Sequence, residues 1–239
     1  MTPETIEKII SLRRPVTIEE NNEKFSTVKL ERIQKELRAN ALSVATLSSI
    51  VQYIKNFKEN LKPVPLLVHV TGPRTVELIS ALDGDRKREV LMTAEAETPN
   101  IPFGRFIGNE EMLITVQSMF ADDPETDRAA VLKFAGTVTD GSIKEYGDDG
   151  VTQKATIQQG IASKAEAIVP SPCVLRPYRT FPEVEQPASK FIFQMREGSK
   201  TIESALFEAD GGAWRNEARN NIHIYMEDQL KGTGITVIS

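Results

Sequence analysis

"LLVHVTGPRTVELISALDGDRKREVLMTAEAE", from Leu66 to Glu97, holds three short apolar runs divided by two polar turns. "LLVHV", "TVELISAL" and "EVLMTAEAE" are each of strand length and rich in β-branched residues. "TGPR" and "DGDRKR" between them carry the glycine, proline and aspartate that reverse a chain tightly. This stretch therefore predicts an antiparallel meander, and the rest of the chain is read outward from it.

Upstream, the signals are helical. Thr2-Pro3-Glu4 supplies a cap, a first-turn proline and an acidic first turn, and Ile6, Ile9 and Ile10 then share one face. Val16 to Asn22 is polar. A second helix is expected from about Phe25 to Leu37, with Leu30, Ile33 and Leu37 on one side. A third starts at Thr46, where Leu47, Ile50, Val51, Ile54, Phe57 and Leu61 follow the helical period until Pro63 and Pro65 end it.

Downstream, Asn109 is expected to cap a short helix that runs to Phe120 with Leu113, Val116 and Phe120 inward. "ADDPETD" then turns the chain. "AAVLKFAGTVT", "VTQKATIQQG", "CVLRPYRTF", "KFIFQMR" and "IESALFEA" read as strands, divided by "EYGDDG", "PSP" and "EVEQPAS". A last helix covers about Ala213 to Leu230. The class is α+β: a mostly antiparallel sheet with N-terminal helices, a short middle helix and a C-terminal helix. The expected organisation is a helical arm over 1–45, a core over 46–230 and a tail over 231–239.

Composition narrows the function classes. The 239 residues carry a formal net charge of −5, which disfavours a protein whose main task is to coat duplex DNA. The single cysteine, Cys173, rules out an intramolecular disulfide and offers no thiolate cluster for zinc. No apolar run approaches bilayer length and the N-terminus is too polar for a secretory signal, so a cytoplasmic protein is expected.

Catalytic motifs are incomplete throughout. There is no G-x-S-x-G elbow, and Cys173 lies between prolines with no local base. "EGSKT" at Glu197 to Thr201 lacks the upstream glycine of a phosphate loop and reads as a hairpin turn. "GTG" at Gly232 to Gly234 lacks the third glycine of a dinucleotide fingerprint, and no cofactor is expected. His69 and His223 have no ligand partners at metal spacing. Asp83 and Asp85 could hold magnesium, but the trailing basic residues make an exposed hairpin tip the better reading. "EYGDDG" lacks the glutamate that would close a calcium loop.

Two stretches remain. In "FEADGGAW", Phe207 to Trp214, an acidic pair and a double glycine precede a stripe of Trp214, Ala218, Ile222, Tyr225 and Met226; that is a core face with negative charge at a helix start. In "KFIFQMR", Phe191, Phe193 and Met195 alternate with Lys190, Ile192, Gln194 and Arg196. With Arg176, Tyr178 and Arg179, the residues Lys190 and Arg196 could form a basic and aromatic surface for a nucleotide or a single nucleic-acid strand. The acids of "EVEQP" beside them favour an ordinary solvated face.

The run "PFGRF" at Pro102 to Phe106, the segment "KEYGDDGVTQKATIQQGIA", "PYRTFPEVEQPASKFIF" and the closing "FEADGGAW" together resemble the YfdQ-like family of phage and prophage proteins, over about Thr46 to Leu230. The resemblance implies a phage origin, a bacterial host cytoplasm and a place among early, non-virion genes. The family is a domain of unknown function, so it carries no catalytic residues to this chain.

The expected function is therefore a non-enzymatic protein that assembles with itself into a ring or closed shell. "ITVIS" at the C-terminus, short and β-branched, suits addition to a neighbour's sheet edge through Ile235, Val237 and Ile238. A protein that sequesters a nucleotide signal or binds nucleic acid is the alternative, and a metal-dependent enzyme using Asp83 and Asp85 is the third reading.

Overall fold

The computed structural model describes residues 2–12, 16–20, 23–26, 38–56, 65–139, 142–148, 153–159, 163–168, 171–198 and 201–239. The chain divides between Ala39 and Asn40 into two units.

In the first unit, α1 (Pro3–Leu12) begins as its sequence predicts, with the Thr2 carbonyl accepting the N–H groups of Thr5 and Ile6. Its face of Ile6, Ile9 and Ile10 is exposed. The polar stretch that follows is a hairpin rather than a linker: β1 (Thr17–Glu20) pairs antiparallel with β2 (Glu23–Ser26). Phe25 and Ser26 are thus strand residues, which corrects the start of the expected second helix; its remainder lies outside the described residues.

The second unit begins with β3 (Leu42–Val44) and α2 (Leu47–Asn56). The helix buries Leu47, Ile50 and Val51, the i, i+3, i+4 set that packs one face. Its expected extension through Phe57 and Leu61 lies outside the described residues. The opening stretch then forms β4 (Leu66–Val70), β5 (Thr75–Ser80) and β6 (Val90–Glu95), the antiparallel meander its turns predict.

Next come β7 (Ile107–Gly108), α3 (Asn109–Met119) and α4 (Arg128–Thr139). The last corrects an expected strand. In "RAAVLKFAGTVT" the buried residues among those described are Val131, Phe134 and Ala135, a helical rather than alternating set, and the Asp127 carbonyl accepts the Val131 N–H at 2.9 Å to open the first turn. Asn109 is not a cap either. It is buried, donating from Nδ2 to the Ala135 carbonyl at 2.7 Å and accepting from the Ser204 hydroxyl at 2.8 Å, so it ties α3 to α4 and to a strand.

A three-stranded antiparallel sheet follows, with β9 (Gln153–Gln159) between β8 (Ser142–Asp148) and β10 (Ser163–Ile168). "EYGD" therefore belongs to β8 instead of to a turn. The chain ends with β11 (Cys173–Leu175), β12 (Ser189–Glu197), β13 (Ile202–Glu208), α5 (Trp214–Gln229) and β14 (Thr236–Ile238).

The other two sheets of the unit hold its two cores. One has the order β14-β4-β5-β6-β3, with β14 and β3 added in parallel at its edges; the other is antiparallel, in the order β11-β12-β13-β7. The α+β class holds, with five helices among the described residues. The first sheet packs with α2 and α5 around Val68, Leu78, Ile50, Ile222 and Met226; the second packs with α3 and α4 around Phe120, Phe191, Phe193 and Val116. Burying Ile222 and Met226 contributes about 1.5–3 kcal/mol each.

The core is longer at both ends than the expected 46–230, because β3 and β14 are its edge strands. The separate tail is likewise corrected. Val237 is buried in the first core and pairs with Val68 of its own chain, while Ile235 is partly buried and Ile238 stays exposed.

Candidate functional site

Between the two cores runs the segment from Arg176 to Ser189, and the ion pairs of Arg176 and Arg179 lie on it. Phe181 and Val184 enter the first core, and the chain then turns back into β12. Gln186 holds the turn. Its side-chain oxygen accepts the N–H groups of Arg179 and Thr180, at 2.9 and 3.1 Å, and its amide donates to the Phe181 carbonyl. The meander grips the same place: Arg74 Nε donates to the Arg179 carbonyl at 3.1 Å, and the Thr180 hydroxyl donates to the Pro73 carbonyl.

This bracing turns Arg179 inward, where its side chain is only 2% exposed. Its guanidinium lies against two rings, 4.1 Å from the centre of Trp214 and 5.8 Å from that of Phe191. Nη1 donates to Glu208 Oε1 at 2.8 Å, and Nη2 donates to the Ser189 hydroxyl and stands 3.9 Å from Asp210 Oδ2. Ser189 in turn donates to Asp210 at 2.7 Å. Burial pushes Arg179 down to about 10, with Glu208 and Asp210 pulling it back up, so it remains a cation near neutrality.

The acids come from the stretch before α5. Gly211 and Gly212 take positive φ angles of 63° and 82°, which lets the chain double back from β13 into the helix. Asp210 then accepts the N–H groups of Gly212 at 2.9 Å and Trp214 at 3.4 Å. Burial alone would raise the Asp210 carboxyl. The hydrogen bonds from Ser189, Gly212 and Trp214, with the Arg179 charge, outweigh that and hold it below the ordinary range. A carboxylate so stabilised is a weak base. The arrangement neutralises charge and joins the two cores.

The five expected ligand residues are not brought together. Arg179 is inside, and Arg176 is held by Asp123, 3.0 Å from its Nε, and by Glu185. Tyr178 and Lys190 are exposed. Arg196 lies six residues beyond Lys190 on β12, roughly 20 Å away at strand spacing, where it pairs with Glu203 at 2.7 Å and stacks 4.0 Å over Phe106. The alternation itself holds, with Phe191, Phe193 and Met195 buried and Lys190, Ile192 and Arg196 exposed.

The remaining candidates are turn and surface groups. Asp83 Oδ1 accepts the N–H groups of Asp85 and Lys87 at 2.9 and 2.7 Å, so that carboxylate shapes the turn. Among the described residues, no cluster of three or more histidine, cysteine, aspartate or glutamate side chains could hold a metal ion. His69 is a half-buried strand residue opposite Glu77, and His223 Nε2 lies 3.4 Å from Glu227 one helical turn on. Around "EGSKT", Glu197 pairs antiparallel with Ile202 and the Gly198 N–H donates to the Thr201 carbonyl at 2.9 Å, while Ser199 and Lys200 lie outside the described residues. Among the described residues, no helix is long and apolar enough to cross a membrane.

The sequence shows both halves of the buried corner, "PYRTF" and "FEADGGAW", without showing that they meet. Ser189 and Gln186 carry no local signal. Comparisons with protein-family models, with curated proteins and with solved structures return no match.

Proposed function

We propose that this chain is a non-enzymatic phage or prophage protein that associates with itself into a symmetric homo-oligomer, a ring or closed shell. The observation that carries the reading is the apolar face of α1, where Ile6, Ile9 and Ile10 are 46%, 44% and 54% exposed. Three large aliphatic side chains on one face of a short helix mark a surface made to be covered. The same unit holds a two-stranded hairpin with exposed Val16 and Ile18; such a hairpin is marginal in water unless something packs on it. A second copy can supply the same faces in return, in a two-fold contact. The engagement of Arg179, Glu208, Asp210 and Ser189 with one another further supports a structural use of the chain's buried charge.

The test is the solution mass of Ile6→Asp/Ile9→Asp against the parent. The change should break the assembly while leaving the second unit's melting transition in place. An unchanged particle would remove α1 from the interface.

One observation favours a second reading, a surface for a nucleotide or single nucleic-acid strand. Arg196, 57% exposed on its side chain, stacks on Phe106, and Phe106 meets Phe207 edge to face on the outer side of the four-stranded sheet. Glu203, paired with Arg196, weakens it. Titrating labelled oligothymidine against the protein and against Phe106→Ala decides it: binding lost in the variant supports the surface, and no binding to either removes it.

A further inference from the structure

Two exposed cations, on a tip that also carries Asp83 and Asp85, sit at one end of β6, and two exposed carboxylates sit at the other. At its start is the hairpin tip "DGDRKR", where the Asp83 carboxylate and carbonyl hold the loop and Arg86 takes a φ of 59°, a left-handed conformation uncommon for a side chain of its kind. The tip presents Arg86 and Lys87 to solvent, and neither makes an ion pair among the described residues. At the other end, where β6 runs out beside β3, an open groove of about 830 Å³ is lined by Ser43, Ala45, Glu95, Glu97 and Thr98 among others. Glu95 and Glu97 are exposed and make no ion pair among the described residues. Arg74, whose carbonyl accepts the Ala96 N–H, directs its own Nε to Arg179 instead.

The six residues of β6 separate tip and groove by roughly 17 Å at strand spacing. A rigid antiparallel meander cannot fold its tip into its own far end. Two cations and two carboxylates that cannot meet within one chain can meet between chains.

We infer that the Arg86–Lys87 tip of one copy docks in the Glu95–Glu97 groove of the next, a head-to-tail contact between copies of this chain. The inference rests on the self-association proposed above and gives it direction. A contact between two different patches is heterologous, so it propagates past a dimer and closes only as a ring or larger assembly. Because the groups are exposed, salt screens the contact over a Debye length of about 8 Å at physiological ionic strength. Charge complementarity at such a rim sets register and partner choice more than bulk affinity.

The experiment uses two full-length variants, Arg86→Glu/Lys87→Glu and Glu95→Lys/Glu97→Lys, and the solution mass of each alone and of their equimolar mixture at low salt. All four positions are exposed, so each variant should keep the parent's melting temperature. Alone, each opposes like charges at every contact and should associate at least about tenfold more weakly than the parent. Mixed, the acidic tip of one meets the basic groove of the other and the native tip meets the native groove, so association past a dimer should return, in assemblies that alternate the two variants. Variants that assemble like the parent, or a mixture that fails to recover, would overturn the contact while leaving self-association standing. A parent that stops at a dimer would overturn the head-to-tail direction, and a monomeric parent would remove self-association itself.

Discussion

The guanidinium carbon of Arg179 stands 4.1 Å from the centre of the Trp214 ring while its nitrogens reach Glu208 and Ser189, so one buried side chain joins a loop, two strands and the start of α5. The two cores of the second unit are held together at that point by charge and packing at once.

Arg179→Ala should therefore be among the most damaging single changes in the chain. It leaves Glu208 and Asp210 without their cation and strips one face of Trp214, at a cost of about 1.5–3 kcal/mol for hydrogen bonds lost to charged groups. Arg179→Lys should recover only part of this, since an ammonium lacks the planar fork that reaches two acceptors. Trp214 is the chain's single tryptophan, so its fluorescence in a urea titration follows the change directly. A midpoint within error of the parent would contradict the role given to Arg179.

Acid should weaken the same corner. The Asp210 carboxyl is held below its unfolded value, so the stability it contributes is present above the ordinary carboxylate range and is lost as pH falls through its lowered folded value. Asp210→Asn should start less stable near neutrality and lose less on acidification. Thermal melts between neutral pH and the acid limb check this; parallel curves for the two proteins would contradict it.

Cys173 should be inert in the native state. Its side chain is fully buried, and burial, with the nearby Asp127 charge, pushes the thiol up to about 12. The reactive thiolate is then scarce at mildly alkaline pH and out of reach of reagent. Alkylation should proceed at the unfolding rate, rising steeply in denaturant. Prompt stoichiometric labelling of the native protein would contradict the burial.

The C-terminal strand should matter to stability. Val237→Ala removes about two buried methylene equivalents, roughly 1.6 kcal/mol at about 0.8 kcal/mol each. Deleting residues 232–239 should cost more, since it also uncovers the edge of β4. If the deletion left the melting temperature unchanged, β14 would not be part of the sheet.

What was legible in the sequence was local and periodic. The meander at Leu66 to Glu97, the alternation of β12 and the stripe of α5 follow from spacing alone, because burial on one face imposes that spacing. The α4 segment misled because "AAVLKFAGTVT" satisfies both periods over a few residues, and contacts with Phe193 and Asn109, distant in sequence, favour the helix. Asn109 resembles a cap for the same reason: its partners, Ala135 and Ser204, lie 26 and 95 residues away. The basic residues around Arg179 read as a surface because the acids that neutralise Arg179 arrive from Glu208 and Asp210. No pattern within one segment shows a pairing made by the tertiary fold.

Self-association is tested most directly by the mass of the full-length protein in solution, measured by light scattering behind size exclusion across a wide concentration range at low salt. The account predicts a discrete species of more than two chains that dissociates in Ile6→Asp/Ile9→Asp. A species with the mass of one chain at every concentration would contradict it.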